Sequence, residues 1–402
     1  MIDLELDPQQ SVKSVVTIKV VGVGGAGGNT VNSIIESGYQ GIECIAFNTD
    51  AQALEHSKAQ KKIQIGVKST KGLGTGADPE LGKRAVEEDI DKVMEVLEDA
   101  DIVFLAAGMG GGTGSGGLPM IANALREKGI LSIAIVTKPF LFEGKRRARI
   151  AQEAIDVLVH AVDTLIVIPN QRLLDVTDEN VSMIDGFAMI NSILTQSVRG
   201  ISDIITRPGL INVDFADVRT IIKDRGLAVM GTGKASGQHR AKEATLQAIS
   251  SPLLENMDIA GVHGVLLNIT GGKNLGLHEI SEAASVIYEQ AHEDANIILG
   301  SVIDESLTDE VTVTIIATGF EYKGESVCFL ENVSEQIATT TDLSSSSTIE
   351  KEEETKMQLS LKSEQKEENH KGSAIQSPFI DLNDLDVPAF LRKELKQSDS
   401  EK

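Results

Sequence analysis

Seven glycines within ten positions constrain what this chain can fold into more than any other feature. LAAGMGGGTGSGGLP, from Leu105 to Pro119, carries them at Gly108, Gly110, Gly111, Gly112, Gly114, Gly116 and Gly117. An apolar stretch, DIVFLAA from Asp101 to Ala107, leads in, and a helix-like stretch beginning near Leu118 leads out. Glycine at a strand-to-helix turn lets the backbone approach a ligand closely and tolerates positive φ. Such a turn aims backbone N–H groups and a helix N-terminus at one point, which suits an anion. Thr113 and Ser115 add hydroxyls. A flexible linker is the plain alternative, but a linker does not sit between a buried strand and a helix. The run reads as a phosphate cradle.

The flanking pattern is that of an α/β protein. Val15 to Val23 is a β-branched strand running into GVGGAGGN (Gly22 to Asn29), and a helix follows from about Thr30 to Glu36. Ile42 to Phe47 makes a second strand, and Asn48-Thr49-Asp50 then caps a short helix. Ile63 to Val67 reads as a brief strand, Lys71 to Pro79 as a second glycine-rich loop, and Glu80 to Glu98 as an amphipathic helix. After the glycine run come a helix to Lys128, a strand at Leu131 to Val136, and the loop TKPFLFEGKRR (Thr137 to Arg147). A helix ending near Val159 and a strand at Leu165 to Ile168 close this half. Alternating strands and helices imply a parallel sheet with ligands beyond the carboxyl ends of its strands.

Val181 to Arg207 is the longest helical pattern, with Ile184, Phe187, Leu194, Val198, Ile201 and Ile205 at three- and four-residue steps before Pro208-Gly209. At 1.5 Å per residue it spans about 39 Å, enough for a spine shared by two folded halves. Beyond it, helices at Phe215 to Lys223, Arg240 to Ile249 and Leu277 to Gln290 alternate with strands at Leu227 to Thr232, Val262 to Thr270, Ile297 to Val302 and Val311 to Thr318. These make a mixed sheet. The segments divide as an arm (1–14), a nucleotide-binding domain (15–180), the central helix (181–208), a smaller α/β domain (209–320), an acidic linker (321–377) and a terminal segment (378–402). The linker is rich in Ser, Thr, Glu, Lys and Gln and reads as disordered. Apolar residues return at Pro378, as in a peptide that orders on docking.

Composition excludes some functions. A net charge of -23 over 402 residues argues against nucleic-acid binding and against docking on anionic lipid. The two cysteines cannot build a disulfide scaffold, and the acidic start MIDLELDPQQ is not a secretory signal. Lys138 interrupts the best apolar run, which leaves no membrane span, so a cytoplasmic protein without membrane insertion is expected.

Two chemistries compete. Gly22, Gly24 and Gly27 satisfy G-x-G-x-x-G after a strand, with Asp50 ending the next one, so an NAD-dependent oxidoreductase is a rival. Against it stands the second, stronger glycine run, and no His-based constellation offers a hydride-acceptor site. Several loops converging on one polyanion suit a nucleoside triphosphate, although no Walker A motif is present. The other candidate is NVDFADVR, Asn212 to Arg219, where Asp214 and Asp217 share one face of a helix start. Capping of that helix is the simpler reading. The pair also lies at the far end of the spine from the glycine run, so it is either structural or acts on a neighbouring molecule's nucleotide.

GGGTGSG at Gly110 to Gly116 matches the signature of the tubulin/FtsZ family. GVGGAGGN, FNTDAQAL, TKGLGTGADPELG, VTKPFLFEGKRR, LIVIPN, ITRPGLINVDFADVR and ISSPLLE resemble bacterial members in the same order, over about residues 15 to 320. The resemblance implies a Rossmann-like parallel-sheet GTPase domain joined by a long central helix to a smaller α/β domain with a mixed sheet. It implies GTP or GDP held by Gly24, Gly25, Ala26, Asn29, Gly76, Gly108, Gly110, Gly111, Gly112, Thr113, Gly114, Ser115, Gly116 and Pro139. Asn48 would lie near the phosphates, and Glu143 and Arg147 near ribose and phosphates. Phe187 would pack on guanine while Asn191 reads its edge. Many members carry Asp at the Asn191 position, and some an acid at Ser192.

The resemblance also implies that Asn212, Asp214 and Asp217 are catalytic on the neighbouring subunit's GTP, with magnesium compensating charge. It further implies head-to-tail homopolymers, a GTPase stimulated by assembly, and action at the mid-cell division site. DLDVPAFLRK, Asp384 to Lys393, resembles the family's docking peptide for membrane anchors of FtsA type. A nucleotide-binding filament protein without hydrolysis is the alternative on the same fold.

Overall fold

The computed structural model describes residues 16–320 except 175, 176, 178, 179, 208, 210, 212, 252–261, 263 and 293. The arm, the acidic linker and the Asp384–Lys393 peptide lie outside the described residues, as does Asn212.

The first half opens with β1 (Ile18–Val23), α1 (Gly24–Glu36), β2 (Glu43–Asn48), α2 (Ala51–Glu55), β3 (Lys61–Gln64), α3 (Val67–Thr70) and α4 (Pro79–Glu95). It continues with β4 (Ile102–Gly108), α5 (Thr113–Lys128), β5 (Leu131–Lys138), α6 (Lys145–Ala161), β6 (Thr164–Pro169) and α7 (Asn170–Leu174). All pairings among β1 to β6 are parallel, in the order β3-β2-β1-β4-β5-β6. The chain steps outward from β1 in one direction and from β4 in the other, so the crevice of the fold lies between those two strands.

Apart from the edge strand β3, whose Lys61 and Lys62 are exposed, the strands are mainly apolar on both faces because helices cover both. On one face Val20, Phe104, Ile133 and Ile166 pack with Val31, Ile34, Leu194 and Val198. On the other Val21, Val103, Leu105 and Ala134 pack with Val86, Leu118, Leu125 and Ile155. The period of two thus sends consecutive residues of one strand into different cores.

The second half follows α8 (Met183–Thr206), which Ser182 caps by accepting the Asp185 N–H at 3.1 Å. It comprises α9 (Phe215–Ile222), β7 (Gly226–Ser236), α10 (Arg240–Ile249), β8 (Gly264–Gly271), α11 (Leu277–Tyr288), β9 (Asn296–Ile303) and β10 (Glu310–Phe320). The sheet β7-β10-β8-β9 is mixed: β10 runs antiparallel to β7 and β8, and β9 parallel to β8. A third apolar core fills the space under α10 and α11.

The structure differs from the sequence expectations in the short helices α3 and α7, in β7 running on to Ser236, and at three further points. The glycine stretch 24–29 is the first turns of α1, and Thr113 to Gly117 are already helical, so both helices start well before Thr30 and Leu118. The brief third strand ends at Gln64, since Gly66 turns the chain with φ 65° into α3. The two sheets are also joined: β6 pairs with β7 in parallel through Thr164–Gly226, Leu165–Leu227 and Ile166–Ala228. Among the described residues no helix is long and apolar enough to cross a membrane.

Candidate functional site

Two helix N-termini meet at the crevice. β1 is paired with β4 up to its own last residue, Val23 with Ala107 one residue before the end of β4, and α1 and α5 follow from those ends. At Gly24, with φ +73°, an added β-carbon would stand 3.3 Å from the Thr113 Cβ and 3.5 Å from the Gly114 nitrogen. At Gly108 it would stand 2.7 Å from the Ala26 Cβ. The first amides of each helix have no intrahelical acceptor and carry the positive end of the dipole. Paired in this way they form an anion site.

The glycines divide by what surrounds them. Gly22 and Gly27 are absorbed by the close approach of α1 to β1 and β4, because a β-carbon on Gly27 would meet the Ala106 oxygen at 2.3 Å. Gly112 and Gly116 are absorbed by α4: their β-carbons would meet the Asp78 and Pro79 carbonyl oxygens at 2.6 and 1.9 Å. Gly110 alone in the 108–117 run has positive φ, at 95°. Gly25 and Gly111 have neither reason, since a β-carbon on either would meet nothing within 4 Å. Gly25 and its neighbours Ala26 and Asn29 border this hollow at the start of α1, with Gly25 and Gly76 exposed and Gly111 half-buried. At Gly25 and Gly111 the missing side chain leaves a space that a β-carbon would occupy, and that is the fit expected for phosphates held by backbone amides.

The hydroxyls of the run are committed inward. Thr113 Oγ1 lies 2.8 Å from Thr49 Oγ1 and 3.3 Å from Thr75 Oγ1, and Ser115 Oγ accepts the Gly110 N–H at 2.9 Å. Sequence reasoning finds Thr113 and misses Thr49 and Thr75; three hydroxyls from separate segments leave no spacing to read. Asn48, buried, accepts the Asp50 N–H through its side chain at 3.2 Å.

The 137–147 loop closes one wall. A β-carbon on Gly110 would lie 3.3 Å from Pro139 Cγ and 3.3 Å from Arg147 Cβ, so both residues border the glycine run. Glu143 accepts the Phe140 N–H at 2.9 Å and an Arg147 N–H at 2.6 Å. Further guanidinium donors of Arg147 remain for an anion. Phe140 stacks on Phe142 at 4.9 Å and meets Phe187 edge-on at 5.7 Å, which brings the first turns of α8 to the same wall. Phe187 is 39% exposed. Thr195 Oγ1 reaches Ser33 Oγ at 3.4 Å, and one turn earlier on each helix stand Asn191 and Asn29.

The acidic pair is elsewhere. Asp214 occupies the N-cap position of α9, yet its side chain makes no capping hydrogen bond. The simpler reading of the pair as a helix cap is therefore not what Asp214 does. The pair lies outside the buried core, and most of the length of α8, about 36 Å of helix in all, separates Phe187 from it. Among the described residues no group of three His, Cys, Asp or Glu side chains is placed to hold a metal ion. A magnesium ion here would be held mainly by phosphate oxygens and water, which suits its coordination habits.

Comparison with known proteins decides between the competing chemistries. Residues 17–178 match the Tubulin/FtsZ family, GTPase domain, and residues 226–321 match the FtsZ family, C-terminal domain. An FtsZ dimer from M. jannaschii, solved empty, is 41% identical with a TM-score of 0.73, over 76% of this chain and 89% of that one. The chain belongs to the tubulin/FtsZ family. A point mutant of the M. jannaschii protein, with tyrosine in place of a tryptophan, aligns equally well, at 41% identity and TM-score 0.73 over 76% of this chain and 91% of that one. CetZ2 from Haloferax volcanii, a GTPγS-bound protofilament, shares the fold at 22% identity and TM-score 0.66, over 81% of this chain and 99% of that one. As a GTPase of the tubulin/FtsZ family, the chain uses the dinucleotide-type strand order for GTP and GDP, and the oxidoreductase reading is set aside.

Proposed function

We propose that this chain is a self-assembling filament protein of bacterial cell division that hydrolyses GTP at a site two head-to-tail subunits build together. One observation carries the reading: Asp214 caps nothing, neither it nor Asp217 is buried, and a long helix lies between them and the cradle. Stacked head to tail, one copy's acids reach the next copy's GTP. Phosphoryl transfer asks the protein mainly for positioning and charge compensation. Asp214 and Asp217, with Asn212, orient and polarise the water that attacks the γ-phosphate. Gly24, Gly25, Gly110, Gly111 and Gly114 hold phosphates through backbone N–H groups, Phe187 covers the guanine, and Asn191 reads its edge with one donor and one acceptor. Bound magnesium supplies positive charge at the phosphates.

A heterologous contact of this kind generates filaments unless its rotation closes. The M. jannaschii relative solved as a dimer and the CetZ2 protofilament support self-association. A role at the mid-cell division site, rather than in another filament, is supported by the resemblance of Asp384–Lys393 to a docking peptide for FtsA-type anchors.

The test is phosphate release from GTP against protein concentration, with light scattering recorded alongside. The specific rate is near zero below a threshold and rises with scattering. Asp217→Ala binds GTP as the parent does and hydrolyses it at least about a hundredfold more slowly. A rate per molecule independent of concentration, or weak GTP binding by Asp217→Ala, overturns the shared site; filaments that scatter without releasing phosphate mean a purely structural polymer. Deleting residues 378–402 leaves hydrolysis intact and abolishes anchor binding.

A further inference from the structure

The C-terminal end of α8 is gripped by a cluster that no sequence motif marks. Tyr39, in the connection between α1 and β2, donates its hydroxyl hydrogen to Asp203 Oδ1 at 2.7 Å and lies 2.8 Å from Ser202 Oγ. The guanidinium carbons of Arg199 and Arg207 stand over its ring, 5.3 and 5.4 Å from the centroid. Arg207 Nε is 2.9 Å from Asp203, and Arg207 Nη1 is 3.7 Å from Asp304, just beyond β9. Asp203 is only 5% exposed. One aromatic side chain thus ties the end of α1, the end of α8 and the second half's sheet at one point.

We propose that Tyr39 is a positioning residue for GTP hydrolysis, holding the end of α8, and with it the acidic segment carrying Asp214 and Asp217, at a fixed distance from the cradle. The proposal rests on the shared-site reading above. Its geometry is that of two struts. α1 runs from Gly24 at the cradle to Glu36 over about 20 Å, and α8 runs from Phe187 to Asp203 over about 24 Å. Both start beside the cradle, pack together through Ser33 and Thr195, and are pinned again where Tyr39 meets Asp203.

Asp214 follows α8 after a short connection. The intervening chain is fixed again at Ile211, whose N–H donates to Ser301 Oγ at 2.9 Å while its carbonyl accepts the Ser301 N–H at 3.2 Å. α9 is then seated by buried Val218, Ile221 and Ile222, with the Thr318 hydroxyl donating to the Ile221 carbonyl at 3.0 Å. Of these anchors the Tyr39 cluster is the one that reaches the end of α1, whose first turn lines the cradle. Burial, and then the Asp203 charge, push the phenol up to about 12, so the hydroxyl keeps the proton it donates.

The decisive variant is Tyr39→Phe in the full chain, which keeps the ring and its two arginines and removes only the hydroxyl. Affinity for a fluorescent GTP analogue, titrated below the assembly threshold, stays within about twofold. At saturating GTP, kcat per sedimented subunit falls at least about fivefold with KM unchanged, since misplaced catalytic groups lose rate before affinity. Tyr39→Phe combined with Asp203→Asn is no slower than the slower single variant, because both break one interaction.

Asp217→Ala, run in parallel, separates the two claims. If it hydrolyses GTP at the parent rate, the shared-site reading fails and this proposal falls with it. If it is inactive while Tyr39→Phe keeps the parent kcat, the Tyr39 proposal alone is overturned. A fall in GTP affinity, kcat and unfolding midpoint together in Tyr39→Phe also overturns it, by showing general support of the fold.

Discussion

At Gly25 a β-carbon would meet nothing within 4 Å, although the residue lies in the first turn of α1. Nothing in the protein itself calls for glycine there, and alanine is the better helix former by about 1 kcal/mol. The same holds sterically at Gly111. Gly25→Ala and Gly111→Ala should therefore keep the unfolding midpoint of the nucleotide-free protein, or raise it slightly at Gly25, where the gain is about 0.5–1 kcal/mol. Their affinity for GTP should fall about tenfold or more, because the methyl stands where phosphate oxygens approach the amides. Calorimetric unfolding without nucleotide and titration with a fluorescent analogue measure the two effects. Weak binding with a lowered midpoint would mean that these glycines serve the fold after all. Sequence reading recognises the glycine run as a cradle but gives all seven residues one reason. Only the neighbours of each Cα separate Gly111, which faces open space, from Gly112 and Gly116, which face α4.

The helices show the same division one level up. Strands are legible because short continuous apolar runs, several of them rich in β-branched residues, stop at turn or glycine residues, and β1, β2, β4 and β5 fall within a few residues of their expected bounds. The starts of α1 and α5 are not, because glycine's poor helix propensity argues for loop at Gly24–Asn29 and Thr113–Gly117. Tertiary packing overrides it. α5 lies so close on α4 that Gly82 and Gly112 face each other, with a Gly82 β-carbon 2.2 Å from the Gly112 oxygen. Gly116→Ala tests that account, since its methyl would stand 1.9 Å from the Pro79 oxygen and 2.8 Å from the Lys83 nitrogen, both backbone atoms. It should destabilise the nucleotide-free protein by about 2–3 kcal/mol, in contrast to Gly111→Ala in the same run, as read by denaturant midpoints. Asp214 is legible as a residue but not as a role: its position at a helix start predicts a cap, and only the unmade hydrogen bond removes that reading.

For the whole molecule, the join between β6 and β7 escapes the sequence because three residue pairs of edge-to-edge pairing leave no periodic mark. Charge placement is a second property of the assembled chain. At the base of the first sheet, Lys19, 1% exposed, holds Asp99 and donates to the Val96 carbonyl at 2.6 Å, with Glu43 at 3.2 Å. The Lys19 hydrogen bond holds the Asp99 carboxyl below its ordinary range. Burial would raise Glu43, but hydrogen bonds from Lys61 and Lys19 outweigh it and lower it. Burial would raise Asp89 in α4 as well, but Lys92 and the Gly66 N–H hold it down. In the second half the Arg240 hydrogen bond lowers Glu279, and the Ser306 hydroxyl lowers Asp304.

A carboxyl whose folded pKa is depressed binds protons more readily once unfolded, so its contribution is complete above the ordinary carboxylate value and is lost as pH falls through the folded one. Asp203, raised by burial, acts in the opposite sense. The lowered groups outnumber the raised one, which gives a net loss of stability on acidification, setting in below about pH 4 to 5. Unfolding midpoints followed from about pH 7 to about pH 3 should stay level and then decline. Lys19→Met replaces the buried ammonium with an apolar chain of similar length, leaves Glu43 with Lys61, and returns Asp99 to solvent. Its decline should be shallower than the parent's, because Asp99 loses the hydrogen bond that lowers it most and Glu43 loses one of its two, so both titrate more nearly alike in the folded and unfolded chains. An equally steep decline in Lys19→Met would place the acid sensitivity at Asp89, Glu279 and Asp304 rather than at the base of the first sheet.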